Sequence, residues 1–303
     1  MNKLAIIIPY YKITFFEECL NSIAEQTNKN FNIYIGNDNS PNDPVYIINR
    51  YIDKLSIVYK KFEENLGKDN LVKQWDRCIE MSQNEEWIMI LGDDDTLENN
   101  VVEEFYNNLP RKEDNIQLIR LASRMINENG EATSKIYYNP EKELAKDFFF
   151  RCLDGDARCT LTEHIFTRKT YNKNKFKNFP VGFGSDNVAW LEFSDMKYVK
   201  AINSTSANIR MSGENISGIQ DRTIGFKRVE AYHLYYKYII ENLHRYFNKN
   251  EMELILNKSY SYLRIFNRET FKAGKFILFM IYHIGFKRTL QIIQNNRYKK
   301  EID

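Results

Sequence analysis

The stretch Trp87-Ile-Met-Ile-Leu-Gly-Asp-Asp-Asp95 decides how the rest of the chain is read. Trp87 to Leu91 is brief, apolar and closed by Gly92, the pattern of a strand buried in a parallel sheet. Three consecutive carboxylates follow. They repel one another, so folding gains nothing by gathering them at a strand end. Two readings meet the pattern. A hard divalent cation, Mg²⁺ or Mn²⁺, takes oxygen ligands from one or two carboxylates and leaves positions for phosphate oxygens. Alternatively the trio is a solvated acidic turn, with Asp95 or Thr96 capping the next helix.

The residues before it favour the first reading. Leu4-Ala-Ile-Ile-Ile8 is an apolar strand ended by Pro9, which cannot donate to a ladder. Thr14-Phe-Phe-Glu17 has capping-box spacing, and Phe16, Leu20, Ile23 and Ala24 then line one helix face. Phe31 to Ile35 is a second strand, leading into the polar turn Gly36-Asn-Asp-Asn-Ser-Pro41. A short helix is expected from Pro44 to Tyr51, a strand from Ser56 to Lys60, and a helix from Asp69 to Met81 with Leu71, Trp75 and Cys78 inward. Strands alternating with helices argue for a parallel sheet with right-handed crossovers. Ligands of such sheets sit at the carboxyl ends of the strands. Tyr10 and Tyr11, Asp38, Glu63 to Asn65 and Asp93 to Asp95 would line that one rim. No Gly-x-Gly-x-x-Gly follows the first strand and no Walker-type loop occurs, so dinucleotide oxidoreductases and P-loop enzymes are set aside.

With 303 residues, 43% of them hydrophobic and 14% aromatic, the chain has ample core for one large domain or two joined ones. A formal charge of +2 gives no reason to expect nucleic-acid binding. The four cysteines lack zinc or disulfide-framework spacing, and a reducing compartment is expected. No leader is visible and no apolar run reaches ~20 residues, so the sequence reads as cytoplasmic.

The first hundred residues resemble the inverting family 2 glycosyltransferases. The resemblance rests on Ile6-Ile-Ile-Pro-Tyr-Tyr11, Glu18-Cys-Leu-Asn-Ser-Ile-Ala-Glu-Gln-Thr27, Ile35-Gly-Asn-Asp-Asn-Ser40, Asn65-Leu-Gly67 and Leu91-Gly-Asp-Asp-Asp95, and continues more weakly to about Gly218. It implies an α/β GT-A fold, with a mostly parallel Rossmann-like central sheet flanked by helices and a C-terminal helical extension. By that resemblance Pro9 and Tyr10 contact the nucleotide, and Asp38 accepts a hydrogen bond from the base, most simply uracil N3–H. An Asx turn is the alternative role for Asp38. Asn65 and Gly67 shape the base and diphosphate pocket, with Lys68 or Lys73 as further charge or as a solvated helix face. The usual motif places its first Asp directly after the Leu, where this chain has Gly92. In that register Asp94 is the main metal ligand, helped by Asp93, and Asp95 is the trailing carboxylate.

Beyond the cluster, residues 97 to 109 read as a helix, Asn115 to Ser123 as a strand, and Met125 to Pro140 as a hairpin or loop around Asn129-Gly130. Leu161 to Arg168 reads as a strand in which Glu163 and His164 face an acceptor or, for the histidine, pack in the core. Phe183-Gly-Ser-Asp-Asn-Val-Ala-Trp-Leu191 resembles the family's Gly-Glu-Asp segment, with Ser185 replacing the Glu and Asp186 in the place of the catalytic base. Asp186 as a helix N-cap is the plainer role. The family often has Arg-x-His near Arg210, and here Ser212 takes the place of the His. Arg210 then faces phosphate or a surface acid, and Glu214 or water completes the metal shell.

After Asp221 helices are expected over 226–247, 251–266 and 271–294. The last carries Lys272, Lys275, His283, Lys287 and Gln291 on one face and an apolar middle, which suits a membrane surface or packing within the protein. The expected organisation is a nucleotide-sugar half over 1–115, an acceptor half of the same domain over 116–220, and a helical region over 221–303. The resemblance implies sugar transfer from a nucleotide-diphosphate sugar, most simply a UDP-sugar, to a saccharide or lipid-linked saccharide in bacterial surface-polysaccharide assembly. It also implies Mn²⁺ or Mg²⁺ as cofactor and a peripheral place at the inner face of the membrane. The alternative is a degenerate member that binds nucleotide or a partner without catalysis, motivated by Gly92, Ser185 and Ser212.

Overall fold

Three apolar segments at the start of the chain become neighbouring strands, because each is buried on both faces. They are β1 (Leu4–Tyr10), β2 (Phe31–Asn37) and β4 (Trp87–Ile90). In the computed structural model, which describes residues 3–82, 84–213, 221–266 and 273–298, β1 pairs in parallel with β2 on one side and β4 on the other. β3 (Ile57–Lys61) joins the outer edge of β2, also in parallel. The helices between them are α1 (Phe16–Ala24), α2 (Val45–Ile48) and α3 (Leu71–Ile79). The sequence wound outward from β1 to β3 and then returned to the other side for β4. The crevice between the carboxyl ends of β1 and β4 is therefore a topological switch point.

The cap position of α1 falls on Phe15, one residue beyond the expected Thr14. Phe15 holds the cap position of α1 with no side-chain cap bond, and the helix is fixed by burying Phe16, Cys19, Leu20 and Ile23. α3 is capped by Asn70, whose side chain accepts the Lys73 N–H.

The second half departs from a mostly parallel sheet. Among the described residues the strand order is β3-β2-β1-β4-β8-β6-β9-β5, with β7 beside β9. β8 (His164–Thr167) runs antiparallel to both β4 and β6 (Leu118–Ile126). β9 (Tyr198–Arg210) runs parallel to β6, and antiparallel to β5 (Thr96–Leu97) and β7 (Lys142–Leu144). The sheet is mixed because a short apolar strand does not encode its direction. Direction follows from the connections between strands. The remaining helices here are α4 (Val101–Asn107), α5 (Ala145–Asp154), α6 (Arg168–Asn174) and α7 (Ser185–Phe193). The apolar core gathers Leu4, Ile6, Ile8, Ile33, Met89 and Leu91 of the sheet with Phe16, Leu20 and Phe105 of the helices.

The chain forms two compact units. One comprises residues 1–178 and 185–219 and contains the sheet; the other comprises residues 179–184 and 220–303. No sequence signal announces that 179–184 belong with the helices. Within this second unit, α8 (Arg222–Tyr238) is capped by Asp221, whose side chain accepts the Ile224 N–H. Gly184, at φ +81°, packs so closely on the Tyr235 ring that a Cβ would lie 2.8 Å from it. α9 (Lys249–Phe266) meets α8 through Tyr232 and Tyr262, stacked at 4.9 Å. The single helix expected over 271–294 is two helices, α10 (Ala273–Ile284) and α11 (Phe286–Tyr298). Gly285, at φ +86°, ends the first with a left-handed residue. Residues 271 and 272 of that segment, and Glu214, lie outside the described residues.

Candidate active site

The parallel register brings the ends of β1, β2 and β4 to one rim. At the β2 end, Asp38 is buried and held from several directions. Its Oδ1 accepts the Leu66 N–H at 2.7 Å and its Oδ2 the Gly67 N–H at 2.8 Å. Arg77 of α3 adds an ion pair, its guanidinium lying 3.9 Å from the Phe62 ring centre. Burial pushes the Asp38 carboxyl up, against the pull of the two N–H groups and Arg77. A Cβ on Gly67 would stand 2.5 Å from Asp38 Oδ2, so the glycine is what allows this approach. Asn65 turns the same loop, its side chain accepting the Lys68 N–H at 3.0 Å. Asp38, Asn65 and Gly67 thus share one place, while Lys68 and Lys73 are exposed.

At the β1 end, Pro9 pairs in register with Gly36. The Tyr10 side chain turns inward: it is fully buried, its ring 4.6 Å from that of Phe16, and its hydroxyl donates to the Asn42 carbonyl at 2.9 Å. Tyr11 is the exposed ring of the pair.

The three carboxylates after β4 fan out. Asp93 Oδ2 accepts the backbone N–H groups of Tyr11 at 2.7 Å and Lys12 at 2.8 Å, closing the crevice between β1 and β4. Asp95 turns the other way, with Oδ1 accepting the Arg210 N–H at 2.8 Å and Oδ2 accepting the Thr162 hydroxyl. Asp94 lies between them, half-buried. Burial and the Asp94 charge push both neighbours above the ordinary carboxylate range. Gly92 has room for this only because it lacks a Cβ, which would lie 2.9 Å from Asp95 Oδ2 and 3.0 Å from Asp94 Oδ1. Those two oxygens therefore converge above Gly92, whereas Asp93 points away. Among the described residues, no group of three or more Asp, Glu, His or Cys side chains is disposed to hold a metal. The oxygen donors that do converge suit a hard divalent cation with few protein ligands and open positions.

Arg210 belongs to this corner rather than to a phosphate-facing loop. It is buried at the end of β9, donates from Nε to the Asp94 carbonyl at 2.8 Å, and pairs with Glu18 at 2.6 Å. Cys19 lies beneath, its thiol donating to the Gly92 carbonyl at 3.5 Å. All four cysteines are free thiols.

Asp186 sits in the first turn of α7, half-buried, with Oδ1 accepting the Asn187 N–H at 2.8 Å. Loss of solvent, reinforced by the charge of Glu163, pushes its carboxyl up to about 7. Glu163 and His164 are buried at the start of β8, and neither presents an exposed side chain to an acceptor. The His164 ring stacks on Trp190 of α7 at 4.1 Å, and burial pushes its pKa well down, keeping it neutral. Sequence reasoning missed Thr162, Arg77 and the packing role of Trp190. Each acts through a long-range contact that leaves no local signature.

Residues 5–191 match the glycosyl transferase family 2 profile. The chain belongs to that family. No curated protein matches it in sequence. Among solved structures, Staphylococcus aureus TarS 1–349 in complex with UDP-GlcNAc is similar over 99% of this chain and 91% of that one, at 15% identity and TM-score 0.67. The same protein in complex with UDP is similar over 98% and 92%, at 13% identity and TM-score 0.58. The mannosyltransferase PcManGT from Pyrobaculum calidifontis, in complex with GDP-Man and Mn²⁺, is similar over 98% and 88%, at 12% identity and TM-score 0.52. These likenesses are of fold: a GT-A-like α/β sheet flanked by helices, with a C-terminal helical extension. In this family member, Thr162 bonds to Asp95 at the β4 end, and His164 two residues on stacks on Trp190 of α7, the helix whose first turn carries Asp186.

Proposed function

We propose that the protein is an inverting glycosyltransferase that moves a sugar from a UDP-sugar to a saccharide or lipid-linked saccharide hydroxyl in surface-polysaccharide assembly. The observation that carries the reading is the flanking of a single segment by both kinds of carboxylate. Thr162 bonds to Asp95 on the donor side, and His164 stacks on the helix that carries Asp186. Pro9, Asp38, Asn65 and Gly67 form the nucleotide wall, with Asp38 holding its loop in shape. Asp186 takes the proton of the acceptor hydroxyl as that oxygen bonds to the anomeric carbon. The bond from that carbon to the diphosphate breaks, and the nucleoside diphosphate leaves with the electron pair. A carboxyl near pH 7 suits a base that must be ionised and still accept a proton. Asp94, with Asp95 Oδ2 beside it and Asp93 bracing the loop, would hold Mn²⁺ or Mg²⁺. When bound, that ion neutralises charge on the diphosphate. The ligands held by the structural neighbours, UDP-GlcNAc and UDP in one case and GDP-Man with Mn²⁺ in the other, support this choice of donor class and cofactor at the level of the fold.

Among the described residues no helix is long and apolar enough to cross a membrane. Leu278, Tyr282 and Phe286 of α10 and α11 are exposed, beside exposed Lys287. They support a cytoplasmic enzyme that touches the inner membrane face through 271–294. Flotation with anionic vesicles tests this: the full chain should float, and a Leu278→Ser, Phe286→Ser variant should not.

The function itself is tested by thermal shift with UDP-, GDP- and dTDP-sugars, with and without Mn²⁺. A UDP-sugar should raise the melting temperature most, and more with Mn²⁺. Product release from that donor, lost in Asp186→Ala, separates a transferase from a degenerate binder, which would show the shift without turnover.

A further inference from the structure

The chain that turns back after β6 brings together three side chains for which neither the donor site nor the base has a use. The Leu121 N–H donates to the Glu163 carbonyl at 2.8 Å. Two residues on, Ser123 exchanges backbone bonds with Tyr137: the Tyr137 N–H donates at 2.8 Å and the Ser123 N–H at 3.4 Å. Leu121 and Ser123 face the same edge of β6. Tyr137 therefore follows Glu163 along that edge, beside the segment whose Thr162 hydroxyl bonds to Asp95.

The Tyr137 ring is half-buried, with two cations in reach of it. The Arg158 guanidinium lies 6.0 Å from the ring centre and the Lys135 ammonium 5.5 Å. Arg158 is placed by the turn that ends α5. There Asp156 and Ala157 donate backbone N–H groups to the Arg151 carbonyl at 2.9 and 3.3 Å, and the Cys152 thiol meets the Arg158 carbonyl at 3.7 Å. Arg77, Arg151 and Arg210 each hold a carboxylate. Among the described residues, neither Arg158 nor Lys135 lies within ion-pair distance of one. The Arg158 Nε–H is buried without an acceptor, and Glu163, five residues on, takes its hydrogen bonds from Thr160. An underbonded guanidinium of this kind gains by meeting an anion.

A tyrosine ring offers an apolar face to the C–H face of a sugar. A guanidinium grips phosphate or carboxylate through parallel bonds, and an ammonium adds a point charge. We propose that Lys135, Tyr137 and Arg158 form an acceptor subsite for an anionic saccharide, its charge borne by a phosphate or a carboxylate. The inference rests on the transferase reading and deepens it by naming the acceptor class.

The test is saturation-transfer difference NMR on the full-length protein, with glucose 6-phosphate, glucuronate and glucose as probes. UDP and Mn²⁺ are present in excess to fill the donor site. At least one charged sugar should bind about tenfold more tightly than glucose, and the two charged arms tell phosphate from carboxylate. Arg158→Gln should remove most of that preference, and Arg158→Lys should keep part of it. Should Arg158→Gln fail to fold, Lys135→Gln, at an exposed side chain, must still weaken the charged probe. Glucose binding as tightly as both charged sugars, or a preference unchanged in these variants, would overturn the proposal. A preference that depends on Arg158 in a protein that no nucleotide sugar stabilises would instead remove the transferase reading and leave the subsite, so the two failures are distinguishable.

Discussion

Asp38, Asp93 and Asp95 on the donor side are gripped by residues distant in sequence: Leu66, Gly67 and Arg77 for the first, Tyr11 and Lys12 for the second, Thr162 and Arg210 for the third. Asp186 on the acceptor side accepts from Asn187, the next residue in the chain. Carboxylates held by tertiary bonds shape a pocket, because rotating them would break contacts between separate elements. One held only locally can reorient and exchange a proton at small structural cost. On the proposed mechanism, the difference separates a scaffold that fits a nucleotide from a group that works on the acceptor.

Substitutions can break or sharpen this contrast. The largest effect belongs to Asp186→Ala, which should lower product release about 100- to 10,000-fold while leaving the donor-induced thermal shift intact. Initial rates and melting curves on one preparation check both halves. Next, Asp94→Ala should abolish the extra stabilisation that Mn²⁺ gives with donor and cost about 100-fold in rate. Calorimetric titration of Mn²⁺ in the presence of UDP reads the binding part. On the scaffold side, Arg77→Ala strips the ion pair from a buried carboxylate and should cost about 2 kcal/mol in chemical denaturation, with weakened UDP binding. The smallest effect is a gain. The folded Asp186 pKa, about 7, lies above the unfolded value, so the folded state holds the proton more tightly. Its contribution to stability is complete below about pH 4 and is lost as pH rises to 7. Asp186→Asn should therefore exceed wild type in stability at pH 8 by about 1 kcal/mol, discounted for partial exposure, with the gap closing toward pH 4. A variant less stable at pH 8 would show that Asp186 is held more firmly than the contrast allows.

The same contrast explains what could be read from the sequence. The parallel half was legible because β1 and β4, buried on both faces, spell apolar runs, and Phe31, Ile33 and Ile35 mark β2 between polar neighbours. The rim followed from the polar residues that end them. The antiparallel insertion of β8 was not legible, since four residues, His164 to Thr167, carry no mark of direction. Asp186 was singled out by the resemblance of Phe183 to Leu191 to the family's Gly-Glu-Asp segment. The inward turn of Tyr10, the clamp of Arg77 on Asp38 and the bond from Thr162 to Asp95 were invisible. They join residues tens of positions apart, through side chains whose types suit many other places. Gly285 is the intermediate case: a lone glycine in an apolar helical pattern reads as tolerated, and only its left-handed backbone turns it into a helix end.

Arg210 carries one more implication. Its guanidinium holds the Asp94 carbonyl, the carbonyls of Asn127 and Glu128, and the Glu18 carboxylate, while its N–H holds Asp95. In mechanical terms it is a mooring post. A pull along β9 is divided among several bonds loaded in parallel before it can shift the carboxylates. Displacing the Asp94 end therefore requires several of these bonds to break together.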